Sequence, residues 1–277
     1  MKCAITGANG LVGSFCTRWL NNLGHHTIRF QRQIQNDDTR QFDLHGYFDD
    51  EVLRDIDALV HCAYDFGARD WRTIRKINVD GSIQLLRAAR EASVSKIVYI
   101  SSVSAYEGCK SLYGKGKLEV ETVALDLGAV VVRPGLVFGS FQHGMLGALN
   151  RMTAFSVLPV FDGGLQPMVL VHGDDLARFV GAILEEWCTE TEPLIAARSE
   201  YVTFKEILIE LARRRGKSLS FISIPSSVSL VAMRILERIG LQLPFNSDSL
   251  VSLLNPAPDI DFSAAERYGV RFRSFFS

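Results

Sequence analysis

The chain has 277 residues, of which 47% are hydrophobic and 22% charged, with a formal net charge of −1, as is ordinary for a globular protein with a sizeable core. The near-zero net charge gives no reason to expect a nucleic acid or an anionic membrane as a partner. The five cysteines, Cys3, Cys16, Cys62, Cys109 and Cys188, are scattered, which favours free thiols in a reducing compartment over a disulfide framework or a zinc site.

We find no stretch that reads as a targeting or membrane segment. A strand-like run already starts at Lys2, which leaves no room for a signal peptide. The longest apolar stretch, residues 228–243, is interrupted by Arg234, Glu237 and Arg238 and is too short to span a bilayer. We therefore expect a cytoplasmic protein.

A glycine-rich turn at the start of the chain is the main functional signal. Residues 2–5 read as a buried strand, and Gly7, Gly10 and Gly13 follow at spacings of three. Apolar residues then recur at helical spacing as far as Leu23. In this arrangement, backbone N–H groups at the helix N-terminus bind the pyrophosphate of a dinucleotide. A glycine-rich turn without a ligand is the alternative.

Strand-like runs alternate with helical periods through the first half of the chain. Strands are predicted at residues 26–30, 58–63, 96–100 and 129–132, and a further strand ends at residues 41–44. This alternation predicts a parallel sheet covered by helices.

The end of the second predicted strand bears on the choice of cofactor. An NAD site of this kind has an acid there for the adenosine ribose hydroxyls, whereas this chain reads Gln31-Arg32. The Arg32 guanidinium could bind a 2′-phosphate, so NADP(H) is favoured. NAD(H) is possible, because Asp37 or Asp38 could still supply the acid, and Arg32 could be a solvated surface residue.

A tyrosine and a lysine follow the strand predicted at residues 96–100. Tyr113 and Lys117 are four residues apart, so they project from one face of a helix. A nearby ammonium lowers the pKa of a phenol towards the range useful in acid–base catalysis, and an oxidised nicotinamide adds to this. A hydroxyl from serines 101, 102 or 104 could orient a substrate oxygen for hydride transfer.

Together these motifs resemble the extended branch of the short-chain dehydrogenase/reductase superfamily, the NAD(P)-dependent epimerase/dehydratase-like proteins. The resemblance covers nearly the whole chain, and its clearest segments are Thr6-Gly7-x-x-Gly10-x-x-Gly13, Ala58-Leu59-Val60-His61-Cys62-Ala63, Asn78-Val79-Asp80-Gly81, Tyr113-x-x-x-Lys117, Arg133-Pro134-Gly135-Leu136-Val137-Phe138-Gly139 and Leu170-Val171-His172-Gly173-Asp174-Asp175-Leu176-Ala177.

The resemblance implies an α/β fold, a Rossmann-type doubly wound parallel sheet with a small, mainly helical C-terminal substrate cap. Residues 1–138 plus 168–198 would form the dinucleotide-binding domain, and residues 139–167 plus 199–277 the cap. Helical segments of the cap are predicted at residues 204–215, 228–239 and 247–254.

The resemblance also implies roles for individual residues. Ser102 would donate the hydroxyl hydrogen bond, Tyr113 would be the general acid/base, and Lys117 would tune the phenol and bind the cofactor ribose. Asn78 would brace the active site. The expected cofactor-binding residues are Gly7, Asn9, Gly10, Leu11, Val12, Arg32, Asp43, Leu44, Cys62, Ala63, Asn78, Tyr113, Lys117, Pro134, Gly135 and Val137. No metal is expected, and His61 and His172 are interpreted as structural.

Two departures from the family pattern concern the substrate. Ser102 and Tyr113 are 11 positions apart, which is a short loop for this family, so the pocket would be more open or admit a larger substrate. Nucleotide-sugar enzymes of this branch usually carry an arginine four residues before the position of His172, where this chain has Met168. A nucleotide-sugar substrate is therefore in doubt.

The predicted function is an NAD(P)-dependent oxidoreductase, epimerase or dehydratase that transfers hydride at a carbonyl or secondary alcohol carbon, with a sugar or nucleotide-sugar as one candidate substrate. The alternatives are a non-catalytic NADP(H)-binding redox sensor or regulatory protein, which would typically lose the Tyr–Lys pair, and a structural subunit with a vestigial site. The family implies a homodimer formed through the helix of Tyr113 and its neighbour.

Overall fold

The computed structural model describes residues 1–46, 48–139, 144–187, 189–241 and 245–276. Cys188, one of the five cysteines, lies outside these described residues. The strands are β1 (Lys2–Thr6), β2 (His26–Gln31), β3 (Thr39–Gln41), β4 (Ala58–His61), β5 (Lys96–Ile100), β6 (Val130–Pro134), β7 (Leu136–Phe138), β8 (Val157–Phe161), β9 (Pro167–His172), β10 (Leu194–Ala196), β11 (Tyr201–Thr203) and β12 (Ser220–Ile224).

The α-helices alternate with these strands through the first two thirds of the chain. They are α1 (Leu11–Asn22), α2 (Trp71–Ile74), α3 (Gly81–Glu91), α4 (Leu112–Asp126), α5 (Gly144–Met152), α6 (Gly173–Glu185), α7 (Phe204–Arg213), α8 (Ser226–Arg238), α9 (Ser247–Leu254) and α10 (Ala264–Arg267). A π-helical segment, Arg75–Asp80, joins α2 to α3.

A seven-stranded, entirely parallel sheet in the order β10-β6-β5-β4-β1-β2-β3 forms the centre of the structure. The chain winds outward in both directions from β1, which confirms the predicted doubly wound Rossmann-type fold. The order reverses between β1 and β4, and ligands of such sheets bind beyond the carboxyl ends of the strands at that point.

Helices cover both faces of this sheet because each presents an apolar stripe to it. One core joins α1 and α6 to the strands and includes Phe15, Leu20 and Phe179. The other joins α3 and α4 to the opposite face and includes Leu86 and Val120. Burying one such side chain contributes about 1.5–3 kcal/mol.

Segments between β6 and β10, together with segments after β10, build a smaller unit around a third apolar core, which includes Leu146, Phe204 and Leu250. Its helices α7, α8 and α9 agree with the three predicted helical segments. Strands β11 and β12 were not predicted, because each is at most five residues long and pairs with a distant strand, β9 or β8. The division into two domains stays a prediction.

Several strand ends differ from the sequence-based boundaries, and two of these differences concern predicted cofactor-binding residues. Strand β3 ends at Gln41, so Asp43 and Leu44 lie in the turn that follows it, and β4 ends at His61.

In the part of the chain that the structure describes, no helix has the length and apolar character needed to cross a bilayer. The cytoplasmic location stays a prediction.

Candidate active site

The glycine turn between β1 and α1 has the shape of a dinucleotide cradle. Gly7 has a φ of +62°, and the Gly10 N–H donates to the Gly7 carbonyl oxygen over 2.8 Å. A Cβ at Gly13 would lie 2.3 Å from the same oxygen, so only glycine fits. Helix α1 begins after Gly10 without a side-chain capping hydrogen bond, so its N-terminal N–H groups are available to an anion.

A buried hydrogen-bond chain fixes the turn that follows β4. The Thr6 hydroxyl oxygen accepts the N–H groups of Cys62 and Ala63, each over 3.1 Å, and lies 2.6 Å from Nδ1 of His61. The two N–H groups occupy both lone pairs of the hydroxyl oxygen, so the hydroxyl donates its one proton to Nδ1 of His61. Nε2 of His61 then carries the ring proton and donates it to the Ser82 hydroxyl over 2.8 Å. Burial lowers the pKa of His61 to about 3, so the ring is neutral and structural.

The residues expected at the adenosine end lie around the end of β2. The Asn9 amide donates to Oε1 of Gln31 over 2.8 Å, while Nε2 of Gln31 is buried with no hydrogen-bond partner in the described structure. Arg32 is exposed beside it. Asp43 accepts the N–H of His45 over 3.0 Å, which shapes the turn after β3.

Asn78 holds the loop after β4 from within the π-helical segment. Its Oδ1 accepts the N–H of Asp65 over 2.6 Å, and its Nδ2 donates to the Asp65 carbonyl oxygen over 3.0 Å. His45 pairs with the Asp65 carboxylate over 2.6 Å. The Asn78 side chain thus joins the π-helical segment to the loop after β4, 13 positions away, and, within the described residues, does not hydrogen-bond to the backbone of its own helical turn.

A cavity of about 530 Å³ lies above the carboxyl ends of β1, β4, β5 and β6. The predicted site residues that line it are Gly7, Gly10, Leu11, Val12, Cys62, Ala63, Ser102, Tyr113, Lys117, Pro134, Gly135 and Val137. Those that do not line it are Asn9, Arg32, Asp43, Leu44 and Asn78. The structure therefore brings the three expected catalytic residues together with most of the expected cofactor residues.

Lys117 is almost fully buried beneath the cavity. Its Nζ donates to the carbonyl oxygen of Ile100 over 2.7 Å and lies 4.8 Å and 5.2 Å from the ring centres of Tyr99 and Tyr64. Burial lowers the pKa of Lys117 to about 8, so a substantial neutral fraction exists at mildly alkaline pH.

Tyr113 departs from the sequence-based expectation. Burial raises its pKa to about 12, and a hydrogen bond with the Ser102 side chain lowers it only in part. The expected lowering of the phenol pKa by Lys117 was wrong for this structure, because desolvation of the phenolate outweighs the one lowering effect, the hydrogen bond with Ser102. At neutral pH Tyr113 is therefore a neutral phenol that can donate a proton.

An aromatic cluster covers the Tyr113 ring. The rings of Tyr64 and Phe66 lie 5.0 Å and 6.0 Å from it between centres, and Phe66 is 70% exposed. The sequence reasoning missed both residues, although their position directly after the predicted strand 58–63 was a usable signal.

Helix α9 of the smaller unit contacts α4, the helix that carries Tyr113, directly. The Asp248 carboxylate accepts the N–H groups of Leu112 and Tyr113 over 2.7 Å and 2.9 Å, and the Ser252 hydroxyl donates to Ser104 over 2.8 Å. Sequence reasoning missed Asp248, and no local signal could have found it, because it lies 135 positions from Tyr113.

The Arg-Pro-Gly segment has a packing role in addition to lining the cavity. Arg133 forms a two-pronged ion pair with the buried Glu121, with contacts of 2.9 Å and 2.6 Å. A Cβ at Gly135 would lie 2.4 Å from the Val169 carbonyl oxygen. This glycine is therefore required by the close approach of β9.

His172 acts as the N-cap of α6. Its Nδ1 accepts the Asp174 N–H over 3.1 Å, and its ring packs edge-on against Phe138. Among the residues that the structure describes, no three His, Cys, Asp or Glu side chains are grouped to hold a metal ion. Met168, where the nucleotide-sugar enzymes have an arginine, lies in β9 and lines the cavity.

Three known proteins, two compared by sequence and one by structure, are similar to this chain. An uncharacterized protein of Mycobacterium tuberculosis is 25% identical over 296 residues, covering 99% of this chain and 31% of that protein. The chain thus spans about a third of the length of the first curated relatives that it matches. Ceramide reductase of Caulobacter vibrioides is 25% identical over 240 residues, covering 83% and 75% of the two chains. The solved UDP-glucuronic acid 4-epimerase of Bacillus cereus, in complex with UDP-glucuronic acid and NAD, superposes with a TM-score of 0.69 at 21% identity, over 97% and 98% of the two chains.

Residues 3–195, well over half of the chain, match the sequence model of the NAD dependent epimerase/dehydratase family. That range contains the glycine turn, the Tyr113–Lys117 pair and the Arg-Pro-Gly segment. The chain therefore belongs to the NAD dependent epimerase/dehydratase family.

Proposed function

We propose that this enzyme transfers hydride between a nicotinamide dinucleotide and a carbonyl or secondary alcohol carbon, with Tyr113 as the proton donor or acceptor. The observation that carries the proposal is that Ser102, Tyr113, the buried Lys117 and the glycine cradle line one cavity.

The residues present fit a dinucleotide. A Cβ at Gly7 would approach Ala63 to 3.0 Å, so glycine lets the turn after β1 pack closely against the turn after β4, and the uncapped N–H groups at the start of α1 can bind a pyrophosphate. Within the described structure, Nε2 of Gln31 and the hydroxyl of Ser101 are buried without partners, and Ser101 lines the cavity. Such orphaned groups need a bound partner, because an unsatisfied buried polar atom costs about 1–3 kcal/mol.

Three residues of the chain have separate roles in this reaction. Ser102 orients the substrate oxygen, Tyr113 gives or takes its proton, and Lys117 offers positive charge from beneath. When bound, the reduced nicotinamide supplies the hydride that forms the new C–H bond at the carbonyl carbon, leaving an alcohol and the oxidised cofactor. The neutral phenol of Tyr113 suits the reductive direction, in which a proton must be donated.

We further propose NADP(H) as the preferred cofactor, with NAD(H) as the alternative. The absence of an acid at Gln31-Arg32 supports NADP(H), whereas the solved Bacillus cereus relative holds NAD. Titration of NADPH and NADH by fluorescence should give tighter binding of NADPH in the wild type, by at least tenfold. The Arg32→Glu variant should reverse this order, and unchanged affinities would contradict the proposal.

A sugar-nucleotide epimerase or dehydratase is the second candidate. The UDP-sugar complex among the structural neighbours favours it, and Met168 counts against it. The two candidates share the roles of Ser102, Tyr113 and Lys117 and differ in substrate class.

The test is the consumption of NADPH over a panel of ketones and keto-sugars by wild type and by Tyr113→Phe. We expect turnover to fall by about 100-fold or more in the variant with cofactor affinity unchanged. Tyr201→Phe, which removes another phenol that lines the cavity, is the matched control and should retain most of the turnover. Tight cofactor binding without turnover of any substrate would favour the redox sensor.

We also propose that the enzyme forms a homodimer through α4 and its neighbour α3, as the family resemblance implies. Sedimentation velocity would show twice the mass of one chain, and a monomer at all concentrations would contradict this. A small-molecule carbonyl or alcohol substrate, with no nucleic acid or membrane partner, also stays a prediction.

A further inference from the structure

We infer that the substrate presents a hydrocarbon surface, and no diphosphate, to the half of the cavity formed by β9, α9 and the segment after α9. This inference rests on the proposed hydride transfer and names the class of carbonyl or alcohol that the site would accept. Its basis is the charge and polarity of the described residues that line this half.

Among the residues that the structure describes, the ionic groups at the cavity do not form a site for a diphosphate. Two carboxylates, Glu237 and Asp248, line the substrate half, and the described lining contains two cations, Lys117 and Arg69. Lys117 is buried under the cofactor side, and its Nζ already donates to the Ile100 carbonyl oxygen. A diphosphate would therefore meet two carboxylates and one exposed guanidinium.

The two carboxylates are fixed parts of the wall. Glu237 accepts both the N–H and the hydroxyl of Ser247, over 2.7 Å and 2.6 Å, at the start of α9. Asp248 accepts the two N–H groups at the start of α4. Neither can turn away from an incoming anion without leaving backbone groups unpaired, so both would repel a phosphate.

Arg69 cannot replace a dedicated diphosphate site. It is exposed in the loop beyond Phe66, and a single exposed cation contributes little to the binding of an anion in water. Enzymes that bind diphosphates use several convergent cations or backbone N–H groups, because two adjacent negative charges must be desolvated together.

The remaining wall of the substrate half is formed by polar and apolar side chains. The polar residues are Ser104, Asn246, Ser247, Ser249, Ser252 and Asn255, and the side chains of Ser104, Asn246, Ser247, Ser252 and Asn255 hydrogen-bond to other groups of the protein. The apolar residues are Val103, Met145, Met168, Tyr201, Leu253 and Ile260. The half-buried thioethers of Met145 and Met168 suit a flexible chain, because Met adapts to irregular apolar shapes. The Phe66 ring, 70% exposed on the rim beside Tyr113, extends this surface towards solvent.

The geometry thus assigns to the site a ketone or secondary alcohol whose reactive carbon carries an alkyl or aryl group. The carbonyl oxygen would lie at Ser102 and Tyr113, and the hydrocarbon would extend over Met168 towards Leu253. Burial of each additional methylene should raise kcat/KM about threefold to fourfold until the wall is filled.

The experiment compares 2-butanone, 2-octanone and 2-dodecanone with UDP-glucose, using NADPH consumption for the ketones, 4-epimerisation for UDP-glucose, and calorimetric binding of UDP and UDP-glucose to the cofactor-loaded enzyme. We expect kcat/KM to rise by at least tenfold from 2-butanone to 2-octanone. We expect no binding of UDP or UDP-glucose at 1 mM.

Two variants test the wall itself. Met168→Gln should lower kcat/KM for 2-octanone by about tenfold and kcat/KM for 2-butanone by a smaller factor, while NADPH affinity stays unchanged. Ile209→Gln, at an exposed position on α7 outside the described lining, is the matched control and should behave as wild type.

The outcomes distinguish a failure of the hydrocarbon inference from a failure of the proposed hydride transfer. Binding and turnover of UDP-glucose in preference to the ketones would overturn the hydrocarbon inference and leave the proposed hydride transfer standing. Turnover of ketones with no dependence on chain length, or on Met168, would also overturn it. NADPH binding without turnover of any ketone, keto-sugar or UDP-glucose would overturn both.

Discussion

The Asp248 carboxylate accepts the backbone N–H of Tyr113 over 2.9 Å, although the two residues lie 135 positions apart. Its other oxygen accepts the N–H of Leu112, so a side chain of α9 satisfies two N-terminal N–H groups of α4, the helix that carries Tyr113. The smaller unit therefore fixes the position of Tyr113 through its backbone.

We predict that Asp248→Ala destabilises the protein by about 1–3 kcal/mol, because two N–H groups lose a charged partner. kcat should fall, while cofactor affinity stays unchanged. Urea unfolding and steady-state kinetics measure the two effects. Asp248→Asn, which keeps one oxygen acceptor, should recover part of both, and an Ala variant as stable as wild type would contradict this assignment.

Thr6→Val tests the buried chain that holds the turn after β4. The change removes the acceptor of the Cys62 and Ala63 N–H groups, so we expect a loss of about 2–4 kcal/mol and weaker cofactor binding. Unfolding and fluorescence titration measure these. Thr122→Val, on the exposed side of α4, is the matched control and should change stability by less than about 0.5 kcal/mol.

His61 should make stability depend on pH. Its pKa is about 3 when folded and near the ordinary 6.5 when unfolded, so below pH 6.5 the unfolded state binds more protons and stability falls. Between pH 7 and pH 5 this group should cost about 2 kcal/mol. Urea unfolding at both pH values should show a smaller loss for His61→Gln than for wild type. His26→Gln, at an exposed position, should retain the wild-type loss.

Lys117 should make cofactor binding depend on pH in the opposite direction. Its pKa of about 8 means that the ammonium is lost as the pH rises from 7 to 9. We expect the dissociation constant of NADPH to increase several-fold over this range, because the ribose loses a charged donor. Lys117→Arg should flatten the profile, whereas the exposed Lys115→Arg on the same helix should not. A flat wild-type profile would contradict the prediction.

Gly135→Ala tests the approach of β9 to the Arg-Pro-Gly segment. The new Cβ would lie 2.4 Å from the Val169 carbonyl oxygen, and backbone on both sides resists movement. We expect a loss of about 1–3 kcal/mol, measured by chemical unfolding. Gly46→Ala, where a Cβ would have no neighbour within 4 Å, is the matched control and should be close to neutral.

The sequence predicted those features that depend on local pattern. The glycine turn, the parallel sheet and the i, i+4 placement of Tyr113 and Lys117 follow from spacing, and the structure confirms each arrangement. The contacts between distant segments could not be predicted in this way. Asp248 reaches Tyr113 only through the docking of α9, and short strands such as β12 acquire their conformation from a distant partner.

The pKa of Tyr113 illustrates a different gap. Sequence spacing gave the neighbour Lys117 correctly, but the sign of the pKa shift depends on how deeply the phenol is buried. Burial is a property of the assembled cavity, to which Tyr64 and Phe66 also contribute. The Tyr-x-x-x-Lys motif therefore identified Tyr113 and Lys117 without determining the protonation state of either side chain.

The central place of β1 has a consequence for the order of events during synthesis. This strand leaves the ribosome before both of the strands that it pairs with, because β2 and β4 follow it in the chain. The Thr6 hydroxyl finds its amide partners only when residues 62 and 63 have emerged. The glycine turn therefore cannot form its final contacts before β4 has been synthesised. Until then, the edge of β1 that pairs with β4 is exposed, and chaperones can bind to this apolar edge.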